Sequence, residues 1–377
     1  MDKNQVKRIV FKFGTNILKN EDGDICLSRL YSFIEDIAKL YKEGKEVLIV
    51  TSGAVGLGVK KLGLKTPETT VDKQAAASIG QPMLIEIWQD GFDRFGINIS
   101  QILLIEDDFS VRKRYLSLRS TLSRLLEAGI IPVINQNDVI LPSELEHVSF
   151  SDNDKLSALV ASKLDADLLV MVSDIDGLFD KNPKEYDDAK LIPVVNKVTP
   201  KIEKLATGAS LGGRGGMITK LNAAKVVANS GAMAMIVNGL TPNIIRKIFT
   251  EENAGTLFLS NNKLSSKQRW IAYATNVRGE IIVNKGAKEA LIEKQKSLLS
   301  VGVLDIKGKF DAGEVVCILD ENKEEFARGV ANYNSVECEK IAGKHSYEIK
   351  EILGYMQSDD LINKDNLVIL WFKLITF

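Results

Sequence analysis

The sequence predicts an α/β protein, a three-layer α/β/α sandwich around a mostly parallel sheet, followed by a small β-rich domain. Three observations carry this. Apolar strand-like runs alternate with stretches of helical periodicity from Arg8 to Val237. Four of those runs end in small or polar residues where an open parallel sheet collects its ligands. After about Thr275 the alternation gives way to short strands separated by glycine turns.

The elements follow in order. Arg8–Asn16, RIVFKFGTN, is an apolar run that stops at Gly14 and carries Lys12 inside it; Val10, Phe11 and Phe13 are strand formers, and the turn that follows offers backbone N–H groups. Leu27, Leu30, Tyr31, Ile34, Ile37, Ala38 and Tyr41 recur with helical spacing, and Gly44 ends that helix. Glu46–Val50 then reads as a strand running into Thr51-Ser52-Gly53-Ala54, which completes a parallel crossover unit. Val71–Phe95 reads as a long helical region, either continuous or broken at Pro82, Ile97–Ile105 as a strand, and Tyr115–Glu127 as a helix closed by Gly129. Ile130–Ile134 is a strand ending in Asn135-Gln136-Asn137-Asp138, and Asp152-Asn153-Asp154 opens a helix that runs to about Asp165. Leu168–Val172 is a strand ending in Ser173-Asp174, and Met217–Ser230 is a helix leading into the strand Ala232–Val237. Beyond the loose stretch from Leu240 to Thr275, strands are expected at 279–283, 303–308, 315–318 and 327–330. The domains so read are 1–258, a linker 259–275, a β-rich domain 276–366, and an apolar C-terminal tail 367–377 that is either a terminal strand or a docked segment.

Composition narrows the function. A chain of 377 residues suits two domains. With 49 Lys and Arg against 50 Asp and Glu, no global basic field draws the protein to nucleic acid or to anionic membrane, so any anion site is local. Cys26, Cys317 and Cys338 lack metal-ligand spacing and do not pair evenly, which points to a reducing compartment; His147 and His345 are too few for zinc sites or histidine triads. The polar N-terminus has no signal-peptide run, so a cytoplasmic location is expected, and the tail LVILWFKLITF is too short to span a bilayer.

The chemistry is concentrated in a few places. Lys12 stands one step before a glycine turn, where a cation suits a phosphate; the plain alternative is a lysine that snorkels from an edge strand. Leu211–Lys220 packs four glycines into five residues before a helix start. Close backbone approach, free N–H groups and a helix N-terminus together make a cradle for phosphate oxygens, with a loose surface loop as the alternative. It is neither a Walker A loop nor a dinucleotide fingerprint. Asp152 suits a helix cap, but a cap explains one polar residue, not three; Asp154 could orient Lys12 and Lys220, and Asn153 with Asp138 could hold a polar substrate. Two lysines, glycine turns and helix starts at one sheet edge amount to positioning and charge neutralisation, which is what phosphoryl transfer needs.

These residues resemble the glutamate 5-kinase family of the amino acid kinase superfamily. The resemblance rests on Lys12-Phe13-Gly14-Thr15, Val50–Ala54, Pro132–Asn135, Asp152–Leu159 and Gly215–Lys220, and it covers nearly the whole chain. Gly279–Tyr355, with Arg328-Gly329-Val330 and Tyr333-Asn334-Ser335, is similar to the barrel-like PUA domain that many members carry. The resemblance implies ATP-dependent, Mg²⁺-requiring phosphorylation of the side-chain carboxylate of L-glutamate, the first step towards proline, with feedback inhibition by proline. It also implies a homo-oligomer and a hand-over of product to glutamyl phosphate reductase. By motif, Lys12, Lys220 and Asp154 are the expected catalytic residues, and Ser52, Gly53, Asp138 and Asn153 the expected glutamate contacts. The expected ATP site comprises Lys12, Gly14, Ser173, Asp174, Arg214, Gly215, Gly216, Met217, Ile218, Thr219 and Lys220, with Mg²⁺ on the phosphates and no protein ligand to it.

The chain departs from the family pattern at Gln136, where glutamate is usual, at Arg214, where a small hydroxyl residue is usual, in a slightly long Leu141–Ser151 segment, and in the tail from Trp371. A superfamily kinase with another acceptor is the nearest rival reading. RNA binding through the β-rich domain is the other, and charge opposes it: residues 276–357 hold 12 Lys and Arg against 14 Asp and Glu.

Overall fold

The computed structural model describes residues 6–20, 22–140, 153–207, 216–251, 254–260, 266–272, 277 and 279–370. The chain divides into two compact units, Met1–Lys263 and Leu264–Phe377.

In the first unit, strands β1 (Arg8–Phe13), β2 (Glu46–Val50), β3 (Ile99–Leu104), β4 (Ile131–Gln136), β5 (Leu168–Ser173), β6 (Val194–Val195), β7 (Met233–Asn238) and β8 (Thr256–Phe258) form one sheet in the order β3-β4-β2-β1-β5-β7-β8-β6. Every pairing is parallel except β7 with β8. The carboxyl ends of β1, β2, β4 and β5 therefore reach the same edge. β1 sits between β2 and β5, with Lys12 in register with Val50 on one side and Met171 on the other.

Strand alternation decides where Lys12 points. Ile9, Phe11 and Phe13 face one layer, built by the helices α2 (Leu27–Lys42), α4 (Thr70–Asp93) and α10 (Ile244–Thr250); there Phe13 meets Phe33 at 5.1 Å and Trp88 at 5.4 Å between ring centroids. Val10 and Lys12 face the other layer, which holds α7 (Asn153–Lys163) and α9 (Met217–Asn229). A lysine in an otherwise apolar strand is thus carried to the opposite side of the sheet from the aromatic core.

Two points of the sequence reading are resolved in this unit. Pro82 does not break the helix, since α4 runs unbroken for 24 residues from a capping box formed by Thr69 and Asp72. Pro82 and Ser78 both lie on the exposed face, so the Ser78 carbonyl that proline leaves without an N–H is open to water, and the helix continues. The strand read over Ile130–Ile134 runs further than expected, since Asn135 and Gln136 are the last two residues of β4, in register with Leu103 and Leu104. Helix α3 (Ala54–Lys61) then packs on α4 with almost no gap. A Cβ on Gly58 would lie 1.7 Å from the Ala76 carbonyl oxygen, and one on Gly80 1.8 Å from that of Ala54.

In the second unit, β9 (Gly279–Val283), β10 (Val303–Gly308), β11 (Val315–Leu319), β12 (Glu325–Val330) and β13 (Leu367–Ile369) pair in the order β10-β9-β11-β12-β13. Helix α11 (Ser266–Ala272) lies within the stretch read from sequence as a linker, and Ala272 accepts a hydrogen bond from Arg328. β13 places the first three residues of the predicted tail in the sheet, antiparallel to β12. The rest of the tail, Trp371–Phe377, lies outside the described residues.

Candidate active site

The carboxyl edge of the sheet has two halves, and the first is built on Asp154. This residue is the second of α7, is 0% exposed, and receives Lys12 Nζ on Oδ1 at 2.5 Å and Lys220 Nζ on Oδ2 at 3.0 Å. The Thr219 hydroxyl also lies 2.8 Å from Oδ2. Burial alone would push this carboxyl up, but the two ammonium groups and the hydroxyl outweigh it and hold the group well below the usual carboxylate range. Lys12 comes from β1 and Lys220 from the first turn of α9, so one carboxylate ties sheet to helix and keeps two buried cations side by side.

Gly14 follows directly. Nothing in the chain itself requires glycine there, because a Cβ would stand an ordinary 3.6 Å from the Val172 carbonyl and 3.9 Å from Lys12 Nζ. What the missing side chain keeps open is the ground beside the ammonium. The amide of Gly14 is not among the free donors expected of this turn: it donates to Val172 O at 3.2 Å. Gly216 caps α9 in an extended conformation, and Met217, Ile218, Thr219 and Lys220 form the first turn of that helix. Arg214 and Gly215, with the glycines before them, lie outside the described residues, as does Asp152.

Ser173 and Asp174 close this half at the end of β5. The Ser173 hydroxyl donates to Asp174 Oδ1 and the Asn16 amide to Oδ2 at 2.9 Å. Burial pushes the Asp174 carboxyl up, but these bonds, with the charge of Lys220, more than offset it and leave it lowered.

The second half lies at the ends of β2 and β4. Asn153, the first residue of α7, directs its amide nitrogen at Thr51 O (2.8 Å), Ser52 Oγ (2.6 Å) and Asn135 Oδ1 (3.1 Å). Three acceptors around the nitrogen fix the amide's orientation and leave Asn153 Oδ1 buried with no hydrogen-bond partner. Asn135 is held in turn by Gln81 of α4, and Thr51 by the Trp88 indole N–H at 3.2 Å. Gly53 adopts φ +115°, a conformation that costs an L side chain dearly, and it is what lets β2 turn into α3 at this point. Asp138 stands just past β4 in a short 3-10 turn, with no partner of opposite charge among the described residues, and burial pushes its carboxyl up to about 6.

The structure thus brings Lys12, Asp154, Thr219 and Lys220 together, and likewise Ser52 with Asn153. It adds residues that sequence reading missed, Gln81 and Trp88 as supports and Asn16 as the partner of Asp174, and it gives Asn135, noted in the sequence only as a strand end, a supporting role. Among the described residues no group of three or more His, Cys, Asp or Glu could hold a metal ion.

A parallel sheet whose edge presents two buried lysines on a shared carboxylate, next to a glycine-capped helix start, is the apparatus of a phosphoryl-transfer enzyme. The amino acid kinase family model matches residues 7–238, and the PUA domain model residues 279–353. Glutamate 5-kinase of Caldanaerobacter subterraneus subsp. tengcongensis is 46% identical over 366 residues, which span 96% of this chain and 98% of the relative. Those of Methanosarcina barkeri and Moorella thermoacetica are 44% and 41% identical, each over 97% of this chain and 97% of the relative. The chain belongs to the amino acid kinase family and, within it, to the glutamate 5-kinases.

Proposed function

We propose that the chain transfers the γ-phosphoryl group of ATP to the side-chain carboxylate of L-glutamate, giving L-glutamyl 5-phosphate, the first step of proline biosynthesis. The observation that carries the chemistry is the pair of buried lysines on Asp154. Lys12 and Lys220 face the three oxygens over which charge spreads as the phosphoryl group moves, and Asp154 keeps both cations in place before any ligand arrives, so little reorganisation is needed. Met217–Lys220, at the amino-terminal turn of α9, and Gly14, Ser173 and Asp174 surround the nucleotide phosphates; Gly215 and Arg214 belong to the same stretch of sequence. A Mg²⁺ ion would sit on the nucleotide phosphates in this half. Bound there, the ion neutralises phosphate charge.

Ser52, Gly53, Asp138 and Asn153 hold glutamate. Among the described residues, Asn153 Oδ1 and the Asp138 carboxylate are acceptors on this side with no donor against them, and an α-ammonium group supplies what they lack. The attacking carboxylate has a reference pKa near ~4.3, so it is already a nucleophile at neutral pH and needs no general base. Proline carries the same α-carboxylate beside a cationic nitrogen, and on this reading it competes for the same half of the site.

The test mixes the protein with Mg-ATP and, in parallel, L-glutamate, D-glutamate, L-aspartate or N-acetyl-L-glutamate, trapping acyl phosphate with hydroxylamine while following ADP. Hydroxamate formed best with L-glutamate and lost in Lys220→Ala is the expected result. Preferential turnover of another acceptor would discard the glutamate assignment and keep the phosphate site. Among the described residues no helix is long and apolar enough to cross a membrane.

A further inference from the structure

The first three residues of α7 are each tied to a different part of the strand-end edge. Asn153 reaches the ends of β2 and β4, and Asp154 reaches β1 and α9. Lys155, which is on neither side of the reaction, reaches the end of β3: its ammonium lies 2.7 Å from Oε1 of Glu106, and the two side chains are 13% and 3% exposed.

Glu106 is a firm anchor. It caps the short helix α5 (Asp107–Ser110), its carbonyl accepts from Phe109 N and Ser110 Oγ, and the turn around it is pinned by Asp108, which takes the Ile105 amide at 2.8 Å and pairs with Arg114. The next strand over is fastened at the same level, because Asn137 N donates to Leu104 O. The second carboxylate oxygen, Oε2, is buried without a hydrogen-bond partner. Burial raises this carboxyl and Lys155 only partly offsets the rise. An ion pair buried at this cost, with one oxygen left over, is poor value as a stabiliser, since apolar residues of similar volume serve as well. What such a pair does supply is a direction.

We infer that Glu106 is a positioning residue for the transfer: through Lys155 it sets the rotation and depth of the first turn of α7, and so the placement of Asn153 and Asp154 against acceptor and lysines. The inference rests on the acceptor reading of Asn153 given above. Neither Glu106 nor Lys155 touches the reacting groups in this account. Both act through the two residues that precede Lys155 in the helix.

The experiment compares wild type with Glu106→Gln and with the paired apolar replacement Glu106→Leu plus Lys155→Met, measuring kcat, KM for L-glutamate, KM for Mg-ATP and the thermal midpoint. The paired variant removes both members of the Glu106–Lys155 pair, so neither is left buried without the other, and it keeps the fold even where the single one weakens it. A misplacement of the α7 turn predicts, in both variants, a rise of about tenfold in KM for glutamate with a several-fold fall in kcat, and KM for Mg-ATP within about twofold of wild type. A paired variant with wild-type kinetics overturns the inference, as does one whose glutamate and ATP parameters fall together in step with its thermal midpoint. Absence of glutamate turnover in wild type would take down the acceptor reading and this inference together. An active wild type beside unaffected variants would take down this inference alone.

Discussion

The two halves of the strand-end edge each hold a carboxylate, one fully buried and one half-buried, and they treat it in opposite ways. Asp154 is surrounded by two ammonium groups and a hydroxyl, which hold it charged despite complete burial. Asp138, just past the end of β4, is half-buried with no compensating cation among the described residues and is pushed up to about 6. The first half holds its carboxylate charged and keeps a cation in excess of it, whereas the carboxylate of the second half has no cation beside it among the described residues. On the proposed assignment of the two halves, the nucleotide meets lysines already held in place, and the amino acid supplies the cation that Asp138 lacks.

The largest effect expected from breaking this contrast comes from Asp154→Asn. It leaves Lys12 and Lys220 buried side by side with no anion between them, at a cost of about 3–5 kcal/mol of stability, and it lets the lysines separate. We expect kcat to fall by about 10²–10³-fold, with chemical denaturation reporting the stability loss. A variant with near-normal kcat would show that the lysines are positioned by something other than this carboxylate.

Next is the pH response of the other half. With its pKa near 6 in the folded chain against an ordinary 3.8, Asp138 takes up a proton as pH falls through 6. KM for glutamate should therefore rise by up to about tenfold per pH unit below 6, while Asp138→Asn gives a high KM that no longer changes there. The sign for stability runs the other way. Between 3.8 and 6 the folded chain holds a proton that the unfolded chain has released, so this group favours folding on the acid side and loses that contribution as pH rises through 6. Denaturation of wild type and Asp138→Asn across that range would show the difference.

Gly53→Ala sharpens the contrast at smaller scale. The surroundings offer room for a methyl group, so its penalty is the φ of +115° alone, about 1–3 kcal/mol. KM for glutamate should increase several-fold while KM for Mg-ATP stays put, because the displaced turn carries Ser52 and not the lysines.

How much of this was legible in the chain depends on how local each cause is. Lys12 stood out because a charge interrupts an apolar strand, and the alternation of Phe11, Lys12 and Phe13 already placed it on the face away from the aromatic core. The Asp154 cluster was legible as a constellation, since each member sits at a strand end or helix start. The supports were not. Gln81 meets Asn135 across 54 residues, and nothing in either local pattern distinguishes a helix glutamine that braces a site from one that faces water. The continuity of α4 through Pro82 depends on which face the proline occupies, and the pairing of the Gly14 amide depends on β5, about 160 residues further on. α11 escaped for a similar reason, and the choice between terminal strand and docked segment at β13 stayed open: their apolar residues are short runs whose role is decided by β12, against which both pack.

The smallest effect belongs to such a support. The Trp88 indole N–H donates to Thr51 Oγ1 at 3.2 Å, and its ring lies 5.4 Å from Phe13, so one residue of α4 touches both the strand that carries Lys12 and the turn that carries Ser52. Trp88→Phe keeps most of the ring packing and deletes the hydrogen bond, leaving the buried Thr51 hydroxyl without that donor, at a cost of about 1–2 kcal/mol. If the indole serves the acceptor half, KM for glutamate should rise by about two- to threefold with kcat and KM for Mg-ATP unchanged. If it serves Lys12 through Phe13, kcat should fall instead. The split between those two parameters in one conservative variant tells which half of the edge this side of the core supports.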